Sequence, residues 1–165
     1  MNITDLKDPA SYKYVDANNH HMNCAAIFAL DHSLDLKQKV ACLIVDSHGV
    51  QIGIGANGST YHETNGCERK RLGCKSGEGY DLCEGCSPKN HAEPSAIRDV
   101  RASNLGGHLE GADIYMWGHW WCCADCVAAM KAAGIRDVYL LEDARRWFDM
   151  ESPDYVFKDA GKVAA

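Results

Sequence analysis

Apolar residues follow two different spacings along the chain, and each spacing predicts a different kind of element. In residues 12–30 they recur every three or four positions, which predicts a first helix. Residues 40–45 form a short, β-branched apolar run, and residues 50–55 form a second run beyond a turn signal at 47–49. The two runs together predict a β-hairpin.

Helical and strand-like patterns alternate in the second half of the chain. The predicted elements are helices at residues 94–104 and 123–133, strands at 112–117 and 137–141, and a weak helix at 143–150. Glycines follow both strong helices, Gly106-Gly107 after the first and Gly134 after the second. Strands that alternate with helices predict a three-layer α/β/α sheet, with an antiparallel opening hairpin and parallel later strands.

The length of the chain suits one domain with a sizeable core. We expect a single domain over residues 1–165, because neither a repeat nor a linker interrupts the pattern. Residues 57–90 are irregular and rich in glycine, cysteine and charge, and we expect a Cys-rich insertion loop at about 59–90.

Composition narrows the possible partners and the location. The formal net charge is −6, and Arg69-Lys70-Arg71 is the single basic cluster, so we expect no long nucleic acid as a partner. No apolar run reaches membrane-spanning length, and residues 1–14 are polar rather than signal-like. Nine cysteines, an odd number, favour thiols and metal ligands over a disulfide framework. We therefore expect a cytoplasmic protein without a membrane partner.

Two short motifs carry the candidate chemistry. They are His91-Ala92-Glu93 and Cys123-Ala124-Asp125-Cys126. One histidine and two cysteines make three zinc ligands, which leaves a fourth tetrahedral position for a water. Zinc lowers the pKa of such a water to about 7, and Glu93 is placed to move its proton to a leaving amine. This H-x-E and C-x-x-C layout is typical of zinc-dependent nucleobase deaminases.

Helix geometry favours the same interpretation. Cys123 and Cys126 are three apart, so they share a face in the first turn of their predicted helix. Pro94 is expected as the first residue of the other helix, which would leave His91 and Glu93 ahead of it and directed into one cavity. The alternatives are a structural zinc site and a chance combination of common motifs.

The chain resembles the cytidine deaminase superfamily, and within it most closely the deoxycytidylate (dCMP) deaminases. Residues 39–58 resemble the opening hairpin of that family, which ends in a Gly-x-Asn-Gly turn. The order Cys67-x-Arg69, Ser76-Gly77-Glu78, Leu82-Cys83 and His91-Ala92-Glu93 resembles one dCMP deaminase branch. Residues 114–141 resemble the last core unit, so the resemblance covers about 39–141.

The resemblance implies hydrolytic deamination of a cytosine nucleotide, dCMP to dUMP, with release of ammonia. The implied zinc ligands are His91, Cys123 and Cys126, with Glu93 as the proton shuttle. Asn57 would hydrogen-bond the sugar and Arg69 would contact the phosphate. Two alternatives stay open: a plain Asn-Gly turn for Asn57 and a solvated loop for Arg69.

The chain departs from the family around the base pocket. Cys122 stands where proline is usual, Ser95 where asparagine is usual, and His119-Trp120-Trp121 precede the second motif. Trp121 could stack on a base, which is worth about 1–3 kcal/mol, or fill the core. His119 could donate to the substrate or serve the structure alone. Another base or nucleoside (guanine, cytosine, cytidine) and a catalytically silent zinc-stabilised binding domain therefore remain alternatives.

Four further cysteines lie in the irregular segment. They are Cys67, Cys74, Cys83 and Cys86. Together they could bind a second, structural zinc that orders the long loop, or they could serve as small buried hydrophobes. The expected partners are a small-molecule nucleotide and, in a homo-oligomer, further copies of the chain.

Overall fold

Five strands form one mixed sheet in the computed structural model, which describes residues 6–158. The strands are β1 (Lys13–Val15), β2 (Ala41–Val45), β3 (Gln51–Ala56), β4 (Asp113–Trp117) and β5 (Asp137–Leu141). Their order across the sheet is β1-β5-β4-β2-β3. β2 is antiparallel to β3 and β4, whereas β5 is parallel to β4 and β1. The predicted α/β sheet with an antiparallel opening hairpin and parallel later strands is confirmed.

Helices cover both faces of this sheet. The α-helices of the described residues are α1 (His20–His32), α2 (Tyr61–Asn65), α3 (Glu68–Arg71), α4 (Ala92–Ala102), α5 (Ala124–Ala132) and α6 (Ala144–Phe148). Cys42 and Ile44 of β2 pack with α4 and α5 in the main core. Leu43 and Val45 pack with Ala25 of α1 on the opposite face. Both faces of β2 are buried, as expected for a strand with helices on each side.

Close packing of α4 on β3 depends on glycine. A Cβ on Gly53 would lie 2.3 Å from Val100 Cγ2, and a Cβ on Gly55 would lie 2.3 Å from the amide nitrogen of Ala96. The helix backbone can rest directly on the strand only because these side chains are absent. This contact fixes the position of α4 and therefore of His91 at its start.

The start of the chain differs from the prediction of one helix over 12–30. Lys13–Val15 is instead a strand that pairs with β5, and α1 begins only at His20. Asn19 caps the helix by accepting a hydrogen bond from the amide of Met22 at 3.0 Å. An edge strand of three residues has no alternation to reveal it, and its partner lies far along the chain.

The start of α4 also differs from the prediction. The helix begins at Ala92, with His91 as its N-cap, and Pro94 is the third helical residue rather than the first. Proline is tolerated there because the amides of the first turn have no partner inside the helix. Glu93 is therefore inside the first turn, yet it still reaches the same cavity as His91.

Short helical turns replace the irregular loop expected before α4. Besides α2 and α3, this segment contains 3-10 turns at Tyr80–Leu82, Glu84–Cys86 and Pro88–Asn90. The polar N-terminal stretch predicted over residues 1–14 lies outside the described residues in its first five positions, as do residues 159–165. None of the helices within residues 6–158 is long and apolar enough to cross a membrane.

Candidate metal centre and active site

Three predicted ligands meet where the N-termini of α4 and α5 converge. His91 caps α4, Cys123 caps α5, and Cys126 lies in the first turn of α5. His91 Nδ1 lies 3.3 Å from Cys126 Sγ and 3.5 Å from Cys123 Sγ. Tetrahedral zinc with ordinary bond lengths needs nitrogen–sulfur separations of about 3.5 Å. The donor set therefore fits zinc in both chemistry and spacing.

Hydrogen bonds prepare these side chains for a metal. The hydrogen bond from Cys126 lowers the pKa of the Cys123 thiol to about 4, and the contact with His91 acts in the same direction. His91 Nε2 lies 3.2 Å from the carbonyl oxygen of Cys86, an acceptor that holds the ring proton on Nε2 and leaves Nδ1 for the metal. The site thus presents a thiolate and a correctly oriented imidazole.

Glu93 is a buried carboxyl group beside this ligand set. It is 4% exposed and lines the same cavity as His91 and Cys123. Burial raises its pKa, and the Cys123 thiolate adds to the effect while His91 opposes it. A carboxyl group whose proton affinity is raised in this way suits both acceptance and return of a proton near neutral pH.

All four predicted substrate contacts line this cavity. They are Asn57, Arg69, His119 and Trp121. The wall also contains polar and aromatic side chains that the sequence had not suggested as site residues: Asp35, Lys37, Gln38, Ser76 and Tyr80. One cavity therefore combines two of the three candidate ligands, His91 and Cys123, with a buried acid, cations and aromatic rings.

A family comparison agrees with this geometry. The model for the cytidine and deoxycytidylate deaminase zinc-binding region matches residues 14–142. The chain belongs to this deaminase family. No curated protein sequence matches the chain significantly. The family and the His/Cys cluster together support a zinc-dependent deaminase, whose substrate has to be argued from its own cavity.

Most of the hydrogen-bonding groups of the Asn57 side chain already have partners within the protein. Its Oδ1 accepts from the amide of Val40 at 2.9 Å and from Ser33 Oγ at 2.6 Å, and its Nδ2 donates to the carbonyl of Gln38 at 2.8 Å. One amide hydrogen is left for a ligand. Asn57 is therefore more than a plain turn residue, because it ties the end of β3 to the cavity wall.

Arg69 is buried rather than solvated. It is 6% exposed, its Nε donates to the carbonyl of Glu78 at 2.7 Å, and its guanidinium lies 4.4 Å from the ring centre of Tyr80. Within residues 6–158 no carboxylate forms an ion pair with it. Lys37, a second cation of the wall, donates to the carbonyl of Cys74, and burial lowers its pKa. The cavity therefore offers positive charge to an anionic group.

His119 and Trp121 both line the cavity, and each side chain carries an N–H donor. The amides of Trp120 and Trp121 donate to His119 Nδ1 at 3.1 and 3.3 Å, so a neutral His119 ring carries its proton on Nε2. Burial lowers the pKa of His119 to about 4, which keeps the ring neutral at physiological pH. The buried indole Nε1 of Trp121 has no partner among the described residues.

A second His/Cys cluster lies in the segment before α4. Cys67, Cys83 and Cys86 meet as predicted, but the fourth member is His62 instead of Cys74. His62 Nε2 lies 3.3 Å from Cys83 Sγ and 3.6 Å from Cys86 Sγ. Its Nδ1 lies 3.1 Å from the carbonyl oxygen of Leu34, which leaves Nε2 as the ligand atom. The His-x₄-Cys spacing of residues 62–67 was the sequence signal for this residue.

Cys122 belongs to neither cluster. It is fully buried, and its amide donates to the hydroxyl of Tyr12 at 2.8 Å. That hydroxyl in turn donates to the carbonyl of Leu6 at 2.7 Å. The proline usual at this position has no amide hydrogen, so the departure ties the N-terminal segment to the start of the zinc helix. Burial raises the pKa of the Cys122 thiol, which therefore stays protonated.

Proposed function

We propose that this deaminase hydrolyses dCMP to dUMP and ammonia. The observation that carries the proposal is a single cavity lined by His91, Cys123, a buried Glu93 and a buried Arg69, with Cys126 completing the ligand cluster beside it. The three candidate ligands and Glu93 supply hydrolytic chemistry. Arg69 supplies a cation on the wall of the same cavity, which a nucleotide substrate requires for its phosphate.

His91, Cys123 and Cys126 would hold the zinc, which when bound supplies a water activated as a nucleophile. Glu93 accepts a proton as the oxygen of this water attacks C4 of the base. The carboxyl group passes that proton to N3 of the ring, and then carries the proton of the new C4 hydroxyl to the exocyclic amine. The C4–N bond breaks, which releases ammonia and leaves a carbonyl at C4. Burial of Glu93 raises its pKa, so it can act as base and then as acid in one turnover.

The donors of His119 and Trp121 support recognition of a pyrimidine base. A cytosine ring presents a carbonyl oxygen and a ring nitrogen as acceptors, and both side chains have an N–H group without a partner within the described residues. A neutral His119 donates a hydrogen bond to such an acceptor through Nε2–H and adds no positive charge. Trp121 and Tyr80 also offer ring faces or edges for contact with a flat base.

Arg69 supports recognition of the 5′-phosphate. Two of its five N–H groups donate to the carbonyls of Glu78 and Lys75, at 2.7 and 3.2 Å, and the guanidinium also contacts the Cys86 thiol. The remaining N–H groups are left for a ligand.

The buried Arg69 cation forms no ion pair with a carboxylate of residues 6–158, although Asp35 on the same wall favours its charged form. A phosphate would compensate the charge directly. Lys37 adds a second positive charge to the same wall.

An ammonia-release assay on purified zinc-loaded protein tests the substrate. The panel contains dCMP, CMP, deoxycytidine, cytidine, cytosine and guanine. We expect the highest kcat/KM for dCMP and a much lower value for deoxycytidine. Equal rates on nucleotide and nucleoside, or preference for a purine, would contradict the dCMP assignment. No ammonia from any substrate would favour the silent zinc-stabilised binding domain.

We also propose a second zinc at His62, Cys67, Cys83 and Cys86. The four side chains are buried, and their ligand atoms lie within 4.8 Å of one another. Cys67 Sγ and Cys86 Sγ are 3.5 Å apart, close to the separation of about 3.8 Å in tetrahedral zinc. Four protein ligands close the coordination sphere, so this metal would be structural. Metal analysis should find two zinc ions per chain, and one would contradict the proposal.

Cytoplasmic location and assembly into a homo-oligomer remain predictions. Light scattering on the purified protein measures its oligomeric state directly, and a monomer at micromolar concentration would contradict the predicted homo-oligomer.

A further inference from the structure

His91 uses both of its ring nitrogens within the site. Nδ1 lies 3.3 and 3.5 Å from the sulfurs of Cys126 and Cys123, and Nε2 lies 3.2 Å from the carbonyl oxygen of Cys86. A metal on Nδ1 leaves the ring proton on Nε2, from which it is donated to that carbonyl. Such an acceptor fixes both the tautomer and the orientation of a ligating histidine.

Cys86 belongs to both sites at once. Its sulfur lies 3.5 Å from Cys67 Sγ and 3.6 Å from His62 Nε2 in the four-residue cluster. Its amide donates to the carbonyl of Cys83 at 3.0 Å, within the short turn Glu84–Cys86. The same residue therefore carries a cluster ligand on its side chain and the acceptor for His91 on its main chain.

Packing around this turn restricts the Cys86 carbonyl. A Cβ on Gly85 would lie 2.4 Å from His62 Nε2, so the backbone of the turn lies directly against the imidazole. His62 is itself anchored, because its Nδ1 lies 3.1 Å from the carbonyl oxygen of Leu34. A change in the cluster is therefore transmitted to the turn whose carbonyl orients His91.

We propose that Cys86 is a positioning residue for the catalytic metal site, so that metal in the four-residue cluster raises the zinc affinity of the His91 site. This inference rests on the two zinc sites of the proposed function. Outer-shell partners of ligating histidines change metal affinity by about 10- to 100-fold. Coupling between two binding sites is reciprocal, so metal at the His91 site also stabilises metal in the cluster.

Chelator competition on a Cys67→Ser protein tests the coupling without a substrate. Cys67 is a cluster residue that makes no hydrogen bond to His91, and Cys74→Ser is the matched control from the same segment, outside the cluster. We expect the His91 site to bind zinc about 10- to 100-fold more weakly in the Cys67→Ser protein, and with unchanged affinity in the control. Unchanged affinity in both proteins would overturn the proposal.

Stepwise chelation of the wild-type holoprotein keeps the inference testable if Cys67→Ser does not fold. Cadmium-113 NMR of the cadmium-substituted chain separates the sites, because one offers two thiolates and the other three. We expect loss of the cluster metal to be followed at once by loss of the other metal. A persistent species with metal only at the His91 site, or a chain that never holds two metals, would overturn the proposal. Neither outcome depends on which substrate is deaminated.

Discussion

The two His/Cys clusters of this deaminase share the same types of candidate ligand but differ in ligand number and in their surroundings. The His91 cluster has three candidate ligands at two helix N-termini, and a cavity with a buried carboxyl group lies beside it. The His62 cluster has four candidate ligands, all buried, in a segment of short turns. A free coordination position beside an acid suits catalysis, whereas a closed set suits structure.

The two clusters also differ in what holds their ligands in place. α4 and α5 are held by the sheet, since α4 rests directly on Gly53 and Gly55 of β3. Their N-termini can therefore present ligands to a cavity without metal to hold them in place. The segment of the other cluster consists of short helical turns that belong neither to the sheet nor to a long helix. A metal there would therefore supply much of its order.

The sharpest test of this contrast removes one cysteine from each cluster. In a Cys126→Ala protein we expect turnover below detection, loss of one zinc and a small change in Tm. In a Cys83→Ala protein we expect loss of the other zinc and a Tm lower by at least about 10 °C. A structural metal contributes several kcal/mol, and each kcal/mol shifts Tm by about 2–4 °C at this size. Metal analysis, calorimetry and ammonia release provide the three readouts.

If the effects on activity and Tm were exchanged between the two proteins, the catalytic and structural roles of the clusters would be exchanged as well. A Cys83→Ala protein with wild-type Tm would show that its cluster contributes nothing to structure. A Cys126→Ala protein that still deaminates would exclude the His91 cluster as the catalytic centre. Glu63→Gln is the background control, because Glu63 is an exposed residue of the same segment as Cys83. Neither the activity nor the Tm should change in this protein.

Replacement of Glu93 separates acid–base chemistry from metal binding. Glu93→Gln keeps the shape of the side chain and removes the proton carrier. We expect full zinc occupancy and a fall in kcat by about 10²- to 10⁴-fold, the usual range for a lost general acid–base group. Near-wild-type turnover in zinc-loaded Glu93→Gln protein would mean that another group carries the proton.

Sequence patterns brought together the residues whose motifs are local, and they missed those that meet through distant contacts. The sequence grouped Glu93 with the candidate ligands His91, Cys123 and Cys126, because each motif spans a single helix turn, in which spacing determines geometry. His62 was missed because its approach to Cys83 depends on how an irregular segment folds back. Helix patterning also could not reveal a three-residue strand that pairs with β5.

The residues of the cavity wall show the same limit of prediction from sequence. His119 was suspected from its position before the second motif, but its tautomer depends on backbone amides that only the folded loop directs at Nδ1. Arg69 was assigned to a phosphate contact or a solvated loop, and only its burial separates it from its neighbours in the basic cluster. Spacing alone carries no information about burial in a loop.

Replacement of Arg69 tests whether its positive charge contacts the phosphate of the substrate or neutralises the thiolates of the second cluster. Its guanidinium also lies beside the Cys86 thiol, so it could neutralise a zinc-bound thiolate cluster instead of a phosphate. We expect Arg69→Ala to narrow the preference for dCMP over deoxycytidine by about 10- to 150-fold, the value of a charge-assisted contact, with both zinc ions retained. Steady-state kinetics and metal analysis on the same preparations make the measurement.

Arg71→Ala is the matched control for this substitution. Arg71 is exposed and pairs with Glu68, so its loss should change neither the preference nor the zinc content. Loss of zinc from the Arg69→Ala protein with an unchanged preference would assign Arg69 to the second cluster. The phosphate contact would then have to come from another cation of the wall, such as Lys37.

The smallest expected effect belongs to His119, and it has two independent readouts. Asparagine can place Oδ1 where His119 Nδ1 now accepts from the amides of Trp120 and Trp121, but it removes the Nε2–H donor. We expect His119→Asn to raise the KM for dCMP by about 2- to 13-fold, because one neutral hydrogen bond is worth about 0.5–1.5 kcal/mol. The kcat should change little, since the proton carrier Glu93 and the metal ligands remain.

The pH dependence of stability gives the second readout. Burial lowers the pKa of His119 from the usual 6.5 to about 4, so between these values the unfolded chain binds a proton there that the folded chain does not. The free energy of unfolding of the wild-type protein should therefore fall more steeply from pH 6.5 toward 4 than that of the His119→Asn protein. Urea titrations of both proteins across this range measure the difference. Parallel curves would show that the pKa of His119 is the same in the folded and unfolded chains, and would contradict a ring that burial holds neutral in this range.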